Sequence, residues 1–260
     1  MKVPKISVCV ATFNGEKFIR EQLVSILPQL KDNDEVVISD DGSTDNTLEI
    51  IKSIHDKRIR VYSHVKNKSL ENKYLSSFYF ASYNFENAII HATGDVIYLC
   101  DQDDIWAEDR IQKTLPLLLD TGFVMCNYAV IDAQGKVIFD KYLKSNPIGD
   151  SLLWNLWKIP FRGCCMALKR SILDMALPFP SNCINHDIWI GLLLARKGYK
   201  CQFIDEPLHF YRDHTTNVSS VVGKSPNSVF FKIGYRLRLL YQVLTYKHPS
   251  ERGQNRREIP

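Results

Sequence analysis

The order of apolar and polar positions predicts strands that alternate with helices in the first half of the chain. Residues 6–11 (ISVCVA) form a continuous apolar run rich in β-branched side chains, typical of a strand buried on both faces of a parallel sheet. A polar turn follows at residues 12–15, and apolar residues at helical spacing over 18–30 predict an amphipathic helix. Residues 35–39 (EVVIS) predict a second buried strand.

The alternation continues to about residue 100. Ser43 or Thr44 is predicted to cap a helix whose apolar positions run from Leu48 to Ile54. Residues 59–63 predict a third strand, 78–91 an aromatic helix and 95–100 a fourth strand. Strands separated by helices indicate a parallel, doubly wound sheet, an architecture that commonly binds nucleotides.

The second half has a different pattern. Residues 123–132 and 136–139 read as two strands joined by a turn at 133–135, and 163–168 as another strand. A helix is predicted over 187–196, ended by Gly198, and a strand over 201–204, before Pro207. Polarity rises from about Thr215, and a last helix follows.

Composition narrows the function classes only slightly. The 260 residues suffice for one α/β domain, and a net charge of +4 gives no argument for nucleic acid. The seven cysteines are scattered without a CxxC pair, which favours free thiols in a reducing compartment over disulfides or zinc. No signal-peptide pattern and no run of about 18 apolar residues is present, so we expect a cytoplasmic protein.

Polar clusters follow three of the first four predicted strands. Because ligands of open α/β sheets bind beyond the carboxyl ends of the strands, these clusters mark a candidate site. Their five carboxylates would repel one another without a compensating cation, and oxygen ligands suit Mg²⁺ or Mn²⁺ carrying a diphosphate. No GxGxxG or GxxxxGK[ST] loop occurs, which argues against a dehydrogenase and a P-loop NTPase. The carboxylates are those of Asp40, Asp41, Asp101, Asp103 and Asp104.

Three segments, in this order, resemble the motifs of the family 2 glycosyltransferases with the GT-A fold. They are SVCVATFN at 7–14, EVVISDDGSTD at 35–45 and GDVIYLCDQDDIW at 94–106, the last resembling the DXD segment. The resemblance extends over about residues 5–215. It implies an α/β GT-A fold, with a doubly wound mixed sheet of Rossmann-like type and a C-terminal helical tail.

The resemblance also assigns roles in the first half. Thr12, Asn14 and Asp41 would bind the nucleotide, with the Asp41 carboxylate accepting from the imide N–H of uracil or thymine. Asp101 would serve the ribose or a metal-bound water, and Asp103 would bind Mn²⁺ or Mg²⁺ directly, so that the metal assists departure of the diphosphate. Asp104 would shape the turn or cap the following helix, and a turn role for Asp40 competes with ligand contact.

In the second half, NHDIW at 185–189 stands where family members carry an acidic motif, often Glu-Asp. Asp187 would be the base that takes the acceptor hydroxyl proton, and a plain helix N-cap is its alternative role. His186 would contact acceptor or donor phosphate, or only fill space. His214 would complete the metal shell beside Arg212, which would contact the donor, and Arg162 with Gly163 would line the acceptor side.

The predicted domain organisation is a catalytic domain over residues 1–217, with a nucleotide-sugar half to about 106 and an acceptor half from about 107. Residues 218–260 form a basic amphipathic tail, which either contacts a membrane surface through 230–247 or packs on the domain. The segment over 69–83 is longer than in many family members. It either covers the donor and selects the acceptor, or is a surface insertion.

These observations predict an inverting, metal-dependent hexosyltransferase for surface polysaccharides such as O-antigen. It would use dTDP-rhamnose or a UDP-hexose and a glycan or lipid-linked acceptor, in the cytoplasm or at the inner membrane face. The rhamnosyltransferase assignment rests on the DQDDIW and HDIW forms. A nucleotidyltransferase is the first alternative, although the loop after strand one is neither Gly-rich nor basic. The second is a non-catalytic nucleotide-sugar-binding module.

Overall fold

The computed structural model describes residues 3–67, 75–181, 183–215, 217 and 227–252. Within these ranges the strands are β1 (Ile6–Thr12), β2 (Glu35–Asp40), β3 (Ile59–Ser63), β4 (Val96–Asp101), β5 (Ile105–Trp106), β6 (Phe123–Ile131), β7 (Val137–Phe139), β8 (Met166–Lys169) and β9 (Gln202–Arg212). The helices are α1 (Ile19–Ile26), α2 (Thr47–Lys52), α3 (Ser76–His91), α4 (Arg110–Thr121), α5 (Leu152–Lys158), α6 (Arg170–Leu173), α7 (His186–Arg196), α8 (Val229–Thr245) and α9 (Pro249–Arg252).

One mixed sheet runs through both halves of the chain, in the order β3-β2-β1-β4-β8-β6-β9-β5, with β7 paired to β6. Strands β3, β2, β1 and β4 are parallel, and β8 is antiparallel to β4 and β6. Thr12 is in register with Asp40, and Ala11 with Asp101. The carboxyl ends of β1, β2 and β4 therefore meet at one edge of the sheet.

The sheet is buried on both faces, because alternate residues of its central strands join two separate hydrophobic clusters. Cys9 and Val37 belong to the cluster that includes residues of α3 and α7. Val8 and Val36 belong to the other, which includes residues of α1 and α4. This arrangement confirms the predicted doubly wound sheet and explains why its strands read as unbroken apolar runs.

Two predicted helix boundaries were wrong. The helix predicted over 18–30 ends at Ile26 and continues only as a 3-10 turn at Leu27–Gln29 with Pro28 inside it, because proline cannot donate the next helical hydrogen bond. Neither Ser43 nor Thr44 caps α2, whose N-cap residue is Asn46. The Ser43 hydroxyl instead donates to Asp40 Oδ1 at 2.5 Å.

The last strand is longer than predicted. It was expected to end before Pro207, yet β9 runs from Gln202 to Arg212 and passes through this proline. The pairing with β6 shifts register at Asn127, which lies opposite Pro207. A register shift tolerates a residue without a backbone N–H, and the extension carries β9 to the sheet edge that bears the candidate site.

The C-terminal helix α8 packs on the domain through Leu239 and Val243, both fully buried. Residues 218–226 and 253–260 of the predicted tail, residues 69–74 of the lengthened segment and the boundary after residue 217 lie outside the described residues. The division into two halves and a tail remains a prediction. None of the described helices is both long enough and apolar enough to span a bilayer. No disulfide joins any of the seven cysteines, all of which lie among the described residues.

Candidate active site

A cleft of about 300 Å³ opens at the carboxyl ends of β1, β2 and β4. The amino-terminal turn of α7 and residues of α3 form its opposite wall. The predicted site residues that line this cleft are Thr12, Asp41, Asp101, Asp103, His186 and Asp187. These six residues, which come from both halves of the chain, were predicted from the sequence to belong to one site. The fold brings them to one cavity.

Asp103 and His214 form a direct pair. Asp103 Oδ2 lies 2.9 Å from His214 Nε2, and the imidazole packs beside the Phe18 ring with 4.8 Å between centroids. The Asp103 carboxylate faces the cleft. A carboxylate oxygen is a ligand that suits Mn²⁺ and Mg²⁺, so Asp103 fits the predicted metal site, and His214 lies directly beside it.

Asp104 does not line the cleft. Its Oδ1 accepts from the Arg212 backbone N–H and its Oδ2 from His209 Nε2, both at 2.8 Å. The guanidinium of Arg110 donates to His209 Nδ1 at 2.8 Å, so the imidazole proton must be on Nε2. Asp104, His209 and Arg110 are all fully buried. Their series of hydrogen bonds connects the turn after β4 to β9. Of the two roles predicted for Asp104, shaping the turn is the one that the contacts support.

Asp101 lies between Asp104 and Cys164 at the bottom of the cleft. Burial raises the pKa of Asp101 well above its usual range, and the neighbouring Cys164 and Asp104 raise it further. Concentrated negative charge of this kind is relieved by a cation or by a hydrogen-bonding ligand. The Asp104 oxygens and both His209 nitrogens are already bonded, so Asp101 and Asp103 are the carboxylates of this segment left for a ligand.

Gln102 is a positioning residue that the sequence analysis missed. Its Oε1 accepts from the Thr12 hydroxyl at 2.6 Å and from the Phe13 N–H at 2.9 Å, and its amide donates to Phe13 O. A Cβ at Gly15 would lie 2.4 Å from Gln102 Oε1, so a larger residue there would displace the Gln102 amide. The middle residue of the acidic motif thus holds the loop after β1, a role that its amide at this strand end could have suggested.

Asn14 is exposed and does not line the cleft. Its side-chain oxygen accepts from the Thr44 N–H at 2.9 Å, and its own N–H donates to the Ser43 hydroxyl. These bonds join the loops after β1 and β2. The contacts therefore show a loop-fastening role for Asn14, and its predicted nucleotide contact remains a prediction.

Asp41 is buried in the cleft wall and paired with two partners, His64 and Lys66, that the sequence analysis missed. Its Oδ1 lies 2.7 Å from His64 Nδ1 and its Oδ2 lies 3.5 Å from Lys66 Nζ. Lys66 Nζ also sits 3.2 Å from the centre of the Phe13 ring. Both partners follow β3, whose carboxyl end neighbours that of β2, and this adjacency is the signal that could have found them. Asp40 has the structural role, because it accepts from Gly42 N and Ser43 N.

Asp187 lies in the first turn of α7, and Asn185 is the N-cap residue. The Asp187 carboxylate accepts from the Gly163 N–H at 3.0 Å and lines the cleft. Its position excludes the plain N-cap alternative. The carboxylate is thus oriented from across the cleft floor, as a proton acceptor would need to be.

His186 stacks on Phe85 with 4.0 Å between ring centroids, and its N–H donates to the Ser82 hydroxyl. Its Nε2 is buried without a hydrogen-bond partner among the described residues. Burial lowers the pKa of His186, so the ring is neutral near pH 7. A Cβ at Gly163 would come within 2.7 Å of this Nε2. The unpaired nitrogen thus belongs to a residue of the cleft lining and lies next to Gly163.

The structure does not bring Arg212 or Arg162 to the cleft lining. Arg212 is 1% exposed and donates to Asp103 O at 2.8 Å and to Glu21 at 2.6 Å. Arg162 donates to the carbonyls of Ile159 and Phe161. Arg212 is therefore a support for the segment that carries Asp103, and the predicted ligand contacts of both arginines remain predictions.

The described part of the lengthened segment contributes to the cleft. Phe78 and Phe80, near the start of α3, line its wall, and the residues before position 75 that the prediction also covered lie outside the described residues. Phe78 and Phe80 thus give the cleft lining an apolar part suited to a ring or an apolar group.

Comparison with known proteins gives a family and several relatives. The family model described as glycosyl transferase family 2 matches residues 7–175. The chain is 33% identical over 142 residues to an uncharacterised glycosyltransferase of Haemophilus influenzae, covering 53% of this chain and about half (52%) of that protein. It is 27% identical over 226 residues to the dTDP-rhamnosyl transferase RfbG of Shigella flexneri, covering 80% of this chain and 72% of RfbG.

A third relative is the UDP-Glc:alpha-D-GlcNAc-diphosphoundecaprenol beta-1,3-glucosyltransferase WfgD of Escherichia coli, 28% identical over 173 residues, covering 60% of this chain and 64% of WfgD. Among solved structures, the fold is similar to S. aureus TarS 1–349 in complex with UDP-GlcNAc (TM-score 0.61, 18% identity, covering 95% and 69%). It is also similar to the mannosyltransferase PcManGT of Pyrobaculum calidifontis in complex with GDP-Man and Mn²⁺ (TM-score 0.61, 20% identity, 96% and 67%).

Proposed function

Because the chain belongs to glycosyl transferase family 2, we propose that it is an inverting, metal-dependent transferase of surface polysaccharide synthesis. Its donor is a nucleoside-diphosphate sugar, dTDP-rhamnose or a UDP-hexose, and its acceptor is a glycan or a lipid-linked saccharide. One observation carries the proposal. The acidic pair Asp101 and Asp103 and the separate carboxylate Asp187 line the same cleft from different elements of the fold.

Asp103 and His214, whose Oδ2 and Nε2 atoms lie 2.9 Å apart, would hold the metal, Mn²⁺ or Mg²⁺. When bound, it would neutralise the charge that develops on the leaving diphosphate. Asp101 binds the donor beside it, either at the ribose or through a water molecule. The contacts of Arg212 with Asp103 O and of Asp104 with β9 keep the segment in place before the donor arrives.

Thr12 and Asp41 recognise the base. Asp41 accepts from the imide N–H that uracil and thymine share, so the proposal includes both dTDP and UDP donors. His64 and Lys66 hold the Asp41 carboxylate, so that one oxygen acceptor is fixed at the cleft wall. A fixed acceptor loses little side-chain entropy when the base binds.

Asp187 is the base. Its carboxylate takes the proton of the acceptor hydroxyl while that oxygen attacks the anomeric carbon and the diphosphate leaves from the opposite side. The Gly163 N–H orients the carboxylate. His186 offers a neutral acceptor nitrogen on the same wall, where it hydrogen-bonds an acceptor hydroxyl and helps to place it.

The relatives support the donor and acceptor classes. The names of RfbG and WfgD specify dTDP-rhamnosyl and UDP-Glc chemistry, and WfgD acts on a diphosphoundecaprenol-linked sugar. On this basis we place the enzyme in the cytoplasm, at the inner face of the membrane, with peripheral contact through residues 230–247.

A thermal-shift series tests the donor site. We expect dTDP or UDP with Mn²⁺ or Mg²⁺ to raise the melting temperature by mass action, and the shift to disappear with EDTA. Asp103→Asn should abolish the metal-dependent part of the shift. The matched control is Asp120→Asn, an exposed carboxylate on α4, which should leave it intact. A nucleotide shift that is unaffected both by EDTA and by Asp103→Asn would overturn the metal site.

Single-turnover kinetics of sugar transfer test the role of Asp187 as the general base. Asp187→Asn should keep the nucleotide-dependent shift and lose roughly 10²–10⁴-fold in transfer rate, the usual contribution of a positioned base. Unchanged transfer by this variant would exclude Asp187 from the reaction. An enzyme that binds the nucleotide but transfers no sugar to any acceptor would indicate a binding module.

A further inference from the structure

Helix α8 has two apolar faces. One carries Leu239 and Val243 and is buried against the domain, where Arg196 donates to Val243 O. The opposite face carries an apolar stripe at helical spacing, in which Phe230 is 87% and Leu237 is 61% exposed. This α8 stripe consists of Phe230, Ile233, Leu237, Tyr241 and Leu244. A helix that packs only on a domain needs one apolar face, so the second face requires another explanation.

The stripe continues onto α5. This short helix exposes Leu153, Trp154 and Trp157, the last at 67%. The guanidinium of Arg236 lies 5.5 Å from the centre of the Trp157 ring and donates to the Trp157 carbonyl. Trp157 therefore lies against α8, and Trp154 is exposed on the same short helix. We call the α8 stripe together with these three α5 residues the two-helix surface. Contiguous exposed apolar side chains of this extent mark an interaction site.

The charges around this surface select its partner. Neither α5 nor α8 contains an aspartate or glutamate. Their charged residues are Lys158, Lys232, Arg236 and Arg238. A second copy of the chain would bring like charges together, which disfavours self-association. An anionic bilayer attracts them, and tryptophan and tyrosine favour the interface between headgroups and acyl chains.

The two-helix surface is also connected to the cleft. The Tyr235 hydroxyl on α8 lies 3.4 Å from Asn185 Oδ1, and Asn185 precedes His186 and Asp187 in the cleft lining. Tyr235 further packs on a small cluster that includes Phe78 and Phe80 of the cleft wall. The residues that would meet the acceptor thus lie next to the helix that bears the stripe.

We propose that the two-helix surface binds the surface of an anionic bilayer, and that this contact presents a lipid-linked acceptor to Asp187. The second clause rests on the proposed transferase function. The first goes beyond peripheral contact through residues 230–247, because it makes the α5 tryptophans part of the membrane contact.

Vesicle sedimentation of the full chain tests the membrane contact without donor or acceptor. The protein should bind vesicles of phosphatidylcholine mixed with anionic phosphatidylglycerol, bind pure phosphatidylcholine vesicles less, and dissociate as salt rises. The double variant Phe230→Ser/Leu237→Ser should lower the partition coefficient about 100-fold, because each lost apolar contact accounts for roughly a factor of ten. Trp157→Ser should lower it about tenfold.

The matched control is Val24→Ser on α1, an aliphatic residue 56% exposed, which should bind vesicles like the parent. All these side chains are exposed, so the melting temperature and the nucleotide-dependent shift should stay unchanged. Failure of the parent to bind anionic vesicles, or equal binding by the double variant, would overturn the membrane contact. So would a dimer in solution that the double variant abolishes.

Two acceptors separate this proposal from the transferase function itself. With a water-soluble acceptor analogue the double variant should turn over like the parent, and with a lipid-linked acceptor in anionic vesicles it should be slower by about the loss in partitioning. Equal rates on both acceptors would refute the presentation of acceptor by the membrane. Absence of transfer by the parent on either acceptor would refute the transferase function and leave the vesicle result standing.

Discussion

Glu35 allows a pH-dependent contribution to stability to be calculated from the structure. It begins β2 at the sheet edge opposite the cleft, and its side chain is 4% exposed. Its carboxylate accepts from the Ser7 hydroxyl at 2.6 Å, from the Thr93 N–H at 2.7 Å and from Arg60 at 2.9 Å. These donors come from β1, β3 and the residues before β4, so one side chain joins the amino-terminal ends of four strands.

Burial by itself would raise the pKa of Glu35, but the hydrogen bonds from Ser7, Thr93 and Arg60 lower it from 4.5 to about 2. This difference corresponds to about 3 kcal/mol of folding free energy. Because the folded-state pKa is the lower one, the contribution is complete above the unfolded-state value of 4.5. It is lost as the pH falls through that value towards the folded value of about 2.

Urea unfolding of the parent and of Glu35→Gln, measured between about pH 7 and about pH 2.5, tests this calculation. Near pH 7 the variant should be less stable by up to about 3 kcal/mol, and the two curves should converge in acid. Asp32→Asn is the control, since this carboxylate is 89% exposed and lies 3.8 Å from Lys57. Exposed pairs of this kind contribute little. A stability difference for Glu35→Gln that stays constant down to acid pH would refute the reasoning.

Three further predictions concern the cleft and its support. Gly163→Ala would place a methyl group 2.7 Å from His186 Nε2 and 3.3 Å from Asp187 Cβ; it should lower kcat more than tenfold and leave nucleotide binding intact, and an unchanged kcat in steady-state kinetics would contradict it. His209→Phe would leave the buried Arg110 without its imidazole acceptor, and urea unfolding should show a loss of about 3 kcal/mol; a variant as stable as the parent would show that Arg110 does not need this partner. Because burial lowers the pKa of His186 below 6.5, the neutral ring keeps its full stabilisation above this value and loses it as the pH falls through the folded-state pKa. His186→Phe should lack this acid-dependent loss in thermal unfolding followed across about pH 7 to about pH 5, and parallel pH profiles would exclude the effect.

The parts of the fold that sequence could predict are those where local pattern and burial agree. The runs at β1, β2 and β4 are largely apolar because the sheet is covered on both faces. Their ends are therefore visible as the first polar residues. Thr12, Asp41 and Asp101 were found in this way, since parallel strands in register bring such residues to one edge.

The parts that could not be predicted depend on contacts between distant residues. Arg212 follows Tyr211 in a segment that was predicted to bind the donor. Its hydrogen-bond partner Glu21 is 191 residues away, and no pattern of apolar and polar positions predicts that contact. His209 lies beyond Pro207, which was predicted to end the strand. It reaches Asp104 because β9 continues past this proline through the register shift at Asn127. Arg110 does carry a signal, because it shares a helix face with Thr114 and Leu118. An arginine on a buried face needs partners.

The four residues of the DQDD motif show why short acidic motifs can be specific. Asp101 and Asp103 line the cleft, whereas Gln102 bonds the loop after β1 and Asp104 bonds β9. Each neighbour of a cleft carboxylate thus anchors the backbone in a different direction. Two carboxylates held close together repel each other, and free side chains would move apart. The hydrogen bonds of Gln102 and Asp104 keep the two carboxylates together before the ligand arrives. The folded structure thus offsets their electrostatic repulsion, which decreases when a cation or donor binds. The positions of the two cleft carboxylates therefore depend on the anchors Gln102 and Asp104 as much as on the acids themselves.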